Sequence, residues 1–569
     1  MWFDARITKR VGVISGLVAF CATSFLFLKW SAVSEVAAAH LFNADALYPY
    51  AFWQDVFGPL SMRGWKLPPA PYFFPDLLLY LPAYYFTTDP VDAQFLYVVI
   101  FCSCGLVLWT RCARLALPAD ISNRFLFVCI CWLHIALLAG AMLFGKITQW
   151  IILVLPGHHA GLWLCAPAVM CLLAAPDRLR TYDWIGAGTI IALVVASDRL
   201  ALVVLIAPFL IVYAFSVFRR NLRLNRINFW SFSVAVVAGL LLDYKLRDWN
   251  FFIIPSAWSE AASDTGNIDL PARLLLAAQD GRQLYLLAAA GFLLLMLVLI
   301  RIARATPERT GGVAYNADFL KKSDYKNNRG DSESIAKIQN SGNVAGAIPT
   351  LIFFVLIGTL LSVLATTGMT VLSGHFAPRY LGPAMLLLFS TLFLASMPGL
   401  WGITGLRNKW PVLIACMSIV LIVSAIGFGI SFRSIRFQHP LAACLTKHAQ
   451  RYNLHNGLAD YWNARPTTLF SANGMLVNPV SADLQPLYWI NNYYAFFGAQ
   501  DSPAYDFIVP ERLNAQLIRR RFGVPAAVIR CGPEAIEVYI YNRPEDETFR
   551  NLFRASRAEV ELWRSMTGR

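Results

Sequence analysis

The feature that most constrains this chain is a succession of apolar runs, each close to the ~20 residues a helix needs to cross ~30 Å of hydrocarbon. They fall near residues 11 to 33, 91 to 110, 122 to 144, 150 to 175, 183 to 197, 200 to 217, 229 to 244, 284 to 300, 347 to 367, 380 to 397 and 410 to 430. The pattern predicts a polytopic α-helical membrane protein with about 11 transmembrane helices, because only internally hydrogen-bonded backbone is tolerated in lipid. A transmembrane barrel would show alternating segments of about ten residues instead. With 57% hydrophobic residues, 14% charged residues and a mean hydropathy of +0.52, a soluble globular protein is excluded. The opening MWFDARITKR and the apolar run after it read as a first helix rather than a signal peptide, since no small-residue cleavage site follows. Leu77 to Phe86 is too short to cross and carries Pro82, so it reads as an interfacial or re-entrant helix.

Cations set the expected orientation. Arg6, Lys9 and Arg10 precede the first run; Arg111 and Arg114, Arg178 and Arg180, Arg219 and Arg220, Arg301 and Arg304, and Arg407 and Lys409 follow alternate later ones. By the positive-inside rule that face is cytoplasmic, which places the N-terminus inside and the C-terminus outside. The net charge of +14 then reflects span-flanking cations, and a nucleic-acid partner is not expected. The expected division is a transmembrane module over 1-430, with a first outer loop at 34-90 and a cytoplasmic linker at 301-346, and an extracytoplasmic α/β domain over 431-569. Thr306 to Asn343 is polar and rich in Lys, Asn, Ser and Gly, the composition of a flexible linker. In the tail, PERLNAQLIRRRFG reads as a helix and VPAAVIRCGPEAIEVYIYN as two short strands about a Cys-Gly-Pro turn. Of the 11 cysteines most lie in apolar runs; Cys444 and Cys531 lie in the tail, where pairing and free thiols are both open.

The loop Leu41 to Leu81 is long, aromatic and acidic, unlike a plain connector. A carboxylate desolvated among rings has its pKa raised toward that of a useful general base. Asp45, beside Asn43, is the first candidate; Asp55 is the second and Asp76 the third, although each could be a solvated acid or a helix cap. In the late stretch SGHFAPRYLGP, Arg379 presents a planar fork suited to phosphate oxygens, with His375 nearby. A snorkelling interfacial arginine is the plainer account. Asp198 and Arg199 form a turn between two apolar runs, and His158 and His159 interrupt the fourth run; neither pattern makes a metal site. Trp65 and Tyr72, with the other outer aromatics, suit sugar faces as well as any membrane interface.

The apolar runs, the acidic loop directly after the first of them, Asn43-Ala44-Asp45, the later Pro71 to Asp76, and His375 with Arg379 together resemble the GT-C glycosyltransferases, the group of the protein O-mannosyltransferases and the lipid A aminoarabinose transferase. The resemblance implies a polyprenyl-phosphate-linked sugar donor, a first-loop Asp as base and cationic residues on the donor phosphate. Asp45 or Asp55 would be the base, Arg379 and His375 the phosphate ligands, and Asn43, Asp76, Asp198, Arg199, Tyr72 and Trp65 further substrate-binding candidates. An adjacent Asp-Glu pair, present in several subfamilies, is missing: Asp45 is followed by Ala46. The implied partners are the lipid-linked donor, membrane lipids and a glycan, lipid or protein acceptor in a bacterial inner membrane. No metal is required, although a divalent cation (Mg or Mn) on Asp45 and Asp55 is compatible with the reading. The competing classes are a transporter or flippase of lipid-linked saccharides and a non-catalytic sugar-binding assembly protein. The absence of a visible internal repeat and the clustering of titratable residues at one surface favour surface chemistry.

Overall fold

The computed structural model describes residues 5–34, 39–60, 62–117, 121–148, 155–174, 179–218, 226–248, 252–254, 270–280, 282–305, 347–373, 378–402, 437–496, 505–541 and 558. In chain order, helix α1 (Ala5–Val33) is followed by α2 (Tyr48–Phe57), strand β1 (Trp65–Lys66), a π-helical turn (Phe73–Leu77) and α3 (Leu78–Phe86). Then come α4 (Pro90–Ala116), α5 (Asn123–Thr148), α6 (Ala160–Ala174), α7 (Thr181–Ser197), α8 (Ala207–Phe218), α9 (Arg226–Asp248), α10 (Leu270–Asp280), α11 (Arg282–Ala305), α12 (Ala347–Ser373) and α13 (Gly382–Gly402). Among the described residues, five helical stretches are long and apolar enough to cross a membrane, within α4, α5, α9, α11 and α12, and five shorter apolar ones lie in α1, α6, α7, α8 with a second π-helical turn (Leu202–Ile206) before it, and α13. The tenfold match to the expected runs follows from their apolar length. The run at 410 to 430 and the linker at 306 to 343 lie outside the described residues.

Local chemistry explains where helices start. Asp89 caps α4, its carboxylate accepting Val91 N–H at 2.7 Å and Asp92 N–H at 3.2 Å, with Pro90 at the first helical position where its missing N–H costs nothing. The expected interruption of the fourth run at His158 and His159 is present: Gly157 (φ 73°) and His159 (φ 64°) take left-handed backbone, and α6 begins at Ala160. The segment between the runs at 229 to 244 and 284 to 300 contains α10, whose Arg273 donates to the Val371 carbonyl near the end of α12 at 2.9 Å.

The helical core is centred on Phe101, Trp109, Trp163, Leu295 and Leu388, with the Trp163 indole donating to Ser390 at 3.0 Å. Leu286, Leu293 and Leu297 on α11 and Val234, Val237 and Leu241 on α9 are exposed, an apolar outer surface suited to hydrocarbon.

The tail supplies α14 (Pro440–Tyr452), β2 (Asn456–Ala459), α15 (Tyr461–Phe470), β3 (Leu476–Pro479), β4 (Asn491–Asn492), β5 (Phe507–Ile508), α16 (Ala515–Phe522), β6 (Ala527–Cys531) and β7 (Ile536–Ile540). The five-stranded sheet has the order β3-β2-β5-β7-β6: β2 runs parallel to β3 and β5, while β7 is antiparallel to β5 and β6. The helix and the strand pair read from the sequence appear as α16 and β6-β7, the latter turning through Gly532 at φ 70°. Cys444 and Cys531 form a disulfide with Cα atoms 5.5 Å apart, tying α14 to β6.

The first loop is not a flap. β1 pairs antiparallel with β4, Trp65 opposite Asn492 and Lys66 opposite Asn491, and Ile253 bonds to both Trp65 and Leu67 through the backbone. Around this ladder Tyr48, Phe52, Trp65, Tyr72, Tyr461 and Ile490 form a buried cluster drawn from loop and tail. Each fully buried aromatic ring in such a cluster contributes about 1.5–3 kcal/mol.

The approach of the two strands is close enough to require a glycine. A Cβ on Gly64 would lie 2.0 Å from Asn492 Oδ1 and 2.5 Å from Tyr494 Cδ2. Gly64→Ala therefore separates loop from tail and is expected to cost about 1–3 kcal/mol, read as a lower thermal midpoint and earlier proteolytic nicking of the first loop.

Candidate functional site

Asp45 is held from three sides. Asn43 Oδ1 accepts Ala46 N–H at 2.8 Å, fixing the turn between them. The Tyr461 hydroxyl donates to Asp45 Oδ1 at 2.5 Å, and Arg379 Nη1 stands 3.8 Å from Asp45 Oδ2. Tyr461 is the first residue of α15, whose start is capped by Asp460 accepting Trp462 N–H at 3.0 Å. One turn later Arg465, only 8% exposed, lies 5.6 Å from the Tyr461 ring centre and donates to the carbonyls of Ala44 and Ile490. The tail thus grips the residue before Asp45 and the carboxylate itself.

Arg379 sits on a 3-10 turn, Pro378–Tyr380, between α12 and α13. Its guanidinium lies 5.5 Å from the Tyr380 ring, and its Nε is buried without a hydrogen-bond partner among the described residues. At 3.8 Å the Asp45 contact is an ion pair without hydrogen-bond geometry, so the fork retains donors for another anion. His158 lies in the turn before α6, with its Nδ1 3.0 Å from the Pro156 carbonyl oxygen.

A buried chain runs beside them. Asp198 Oδ2 accepts His159 Nδ1 at 2.7 Å, and His159 Nε2 is 3.2 Å from the Tyr72 hydroxyl. With Nδ1 donating to the carboxylate, Nε2 is the acceptor and the Tyr72 hydroxyl the donor. Tyr72 (φ 54°) and His159 (φ 64°) both adopt left-handed backbone, a strain that persists only where surrounding contacts impose it. Tyr380 lies with its ring centre 5.4 Å from that of His159, so the chain abuts the turn that carries Arg379.

The other expected site residues are placed differently. Asp55 Oδ2 accepts the Trp65 indole N–H and the Asn492 amide, each at 2.8 Å; burial raises its pKa and the two donors oppose the rise. Asp55 and Trp65 therefore join loop to tail. Asp76 does not cap α3; it is 1% exposed, accepts the Tyr97 hydroxyl at 2.6 Å and packs where a Cβ on Gly161 would strike Pro75 at 2.4 Å. Asp198, expected at a surface turn, is buried, and Arg199 is engaged by Asp243, which also accepts Arg247 Nε at 2.8 Å. His375 lies outside the described residues. Among the described residues no group of three His, Cys, Asp or Glu side chains is placed to hold a metal. Asp45 faces a guanidinium and Asp55 two N–H donors, a set that does not fit a divalent cation shared by both. Tyr461, Arg465 and Tyr380 went unread in the sequence; the only signal was the aromatic density around Asp460-Tyr461-Trp462.

No protein-family model and no curated protein matches the chain. Among solved structures, the crystal structure of ArnT from Cupriavidus metallidurans in the apo state is similar over 93% of this chain and 98% of that one, at 12% identity and a TM-score of 0.45.

Burial pushes the Asp76 carboxyl up to about 7, and the Asp198 carboxylate adds to the rise while the Tyr97 hydroxyl opposes it. A raised acid favours the folded state when protonated, so its contribution is full below the ordinary value near 3.8 and is lost as pH rises to about 7. Asp76→Asn is expected to flatten the fall in thermal midpoint between these limits and to raise the midpoint above them. A wild-type pH profile in the variant would remove Asp76 as its source.

Proposed function

We propose that the chain is an integral membrane glycosyltransferase that moves a sugar from a polyprenyl-phosphate carrier to an acceptor hydroxyl. The observation that carries this reading is the convergence of Asp45 and Arg379 at 3.8 Å, with Tyr461 on the far oxygen of the same carboxylate. A base and an anion-binding cation side by side suit a displacement at a carbon bonded to phosphate. The likeness of the first loop and the late arginine turn to the GT-C enzymes supports it as well.

In the proposed reaction the donor phosphate takes the guanidinium of Arg379, for which it is the better bidentate partner. The acceptor hydroxyl gives its proton to Asp45, and its oxygen attacks the anomeric carbon from the face opposite the phosphate. The bond from that carbon to the phosphate oxygen breaks, and its electron pair leaves on the phosphate, neutralised by Arg379. Configuration inverts. Tyr461 holds the carboxylate toward the acceptor, and the Asp198-His159-Tyr72 chain steadies the turn bearing Arg379. His375 is a second phosphate ligand in this scheme.

The reading includes an inner-membrane location with the N-terminus in the cytoplasm and the tail outside. The Cys444–Cys531 disulfide supports that side for the tail, since such bonds persist in oxidising compartments.

Sugar transfer from a polyprenyl-phosphate donor, assayed in membranes, tests the assignment. Asp45→Asn is expected to lower kcat by about 100-fold or more with donor KM little changed. Asp55→Asn should instead lower the thermal midpoint while the folded fraction keeps activity within about tenfold. Near-normal turnover in Asp45→Asn would remove Asp45 from the mechanism.

A further inference from the structure

Beside the Asp45 turn lies a cavity of about 830 Å³, within the range of about 300–1,000 Å³ common for small-ligand sites. Its wall includes Asn43, Trp462, Asn463, Glu511 and Arg512. We propose that this cavity is the acceptor subsite and that its ligand is a saccharide chain. The proposal rests on the reading above in one respect, that Asp45 is the base receiving the acceptor proton.

Trp462 supplies the plane. It is 44% exposed although it lies one residue into a capped helix, and its orientation is fixed by the Tyr461 ring, edge-on at 5.2 Å. A rigid, partly exposed indole offers a flat face for the C–H surface of a pyranose. Around it stands a network of planar polar groups. Asn463 Nδ2 donates to Asp460 Oδ1 at 2.6 Å and to Glu511 Oε2 at 2.9 Å, and Arg512 Nη1 is 4.0 Å from Asp460 Oδ2. These contacts orient the groups and still leave donors and acceptors unspent, the arrangement that reads out ring hydroxyls. Arg512 adopts φ 59°, an uncommon backbone for a side chain of its size, which marks the cavity wall as a place where local strain is tolerated.

The wall chemistry selects among acceptors. The wall is mixed: Phe42, Phe437, Leu441 and Ile536 give apolar surface, and an amide, a carboxylate and a guanidinium stand beside the indole, a combination that suits a pyranose with its C–H faces and hydroxyl rim better than a plain lipid chain. The position also fits. The cavity shares Asn43 with the turn that presents Asp45, and its indole adjoins the tyrosine that binds that carboxylate.

The test uses the full chain in lipid nanodiscs and two probes: an immobilised array of neutral and acidic di- to octasaccharides, and polyprenyl phosphate in a separate binding assay. Wild type is expected to retain a subset of the array. Trp462→Ala and Asn463→Ala should weaken that binding by about tenfold or more with polyprenyl-phosphate binding unchanged, and Trp462→Phe should recover part of it. Arg379→Ala should show the reverse pattern. Unchanged polyprenyl-phosphate binding in the Trp462 variant serves as its folding control. Wild type that binds polyprenyl phosphate but no saccharide overturns the proposal, as does Trp462→Ala binding the array normally, or labelling of the cavity by a photoreactive fatty acid or peptide instead. Saccharide binding without polyprenyl-phosphate binding would sink the donor reading and leave the cavity assignment standing.

Discussion

The structure around the site depends on one buried cation. Arg465 is almost wholly enclosed, and an enclosed guanidinium is tolerable only when its donors are met. It meets them with the carbonyls of Ala44 in the first loop and Ile490 in the tail, two points far apart in sequence. That requirement fixes α15 against the loop, and α15 in turn carries Tyr461 to Asp45 and Trp462 to the neighbouring cavity. The acidic loop is thus positioned by a tail residue as much as by its own turn.

A second set of constraints acts from the helices. The π-helical turn at 73–77 packs against the start of α6 so closely that only glycine fits at position 161, and the left-handed residues Tyr72 and His159 face each other across that junction. Their hydrogen bond, continued to Asp198, connects the loop to the end of α7, while Tyr380 places the late turn against the same imidazole. The loop is therefore held between two rigid bodies, sheet on one side and bundle on the other, and the charged groups that meet there come from both.

The helices were legible in the sequence because membrane crossing needs a long apolar run and little else, so composition over a window suffices. Asp45 was legible as a first-loop acid, and Arg379 as a cation at the end of a span, since both are costly placements unless used. What the sequence withheld were the long-range partners. Asp55 stood second to Asp45 as a base, and only the pairing of β1 with β4 shows that its carboxylate is occupied by Trp65 and Asn492. Arg199 looked available until Asp243 was found beside it, and Asp198 looked superficial until the His159 ring covered it. Each of these depends on residues brought together from distant stretches, which no local pattern encodes. Tyr461 was invisible for the same reason.

The separation of those partners has a consequence for how the protein is made. The hydrogen bonds Asp45–Tyr461 and Asp55–Asn492 span 416 and 437 residues. During synthesis the first loop emerges early and waits through nearly all the remaining translation before the strand that completes its ladder exists. A ribosome that stalls anywhere before the tail leaves behind a fragment whose acidic loop lacks Tyr461, Arg465 and Asn492. Loss of the last quarter of the chain thus removes all three together and leaves Asp45 and Asp55 without the partners that order them, even when every helix has formed correctly.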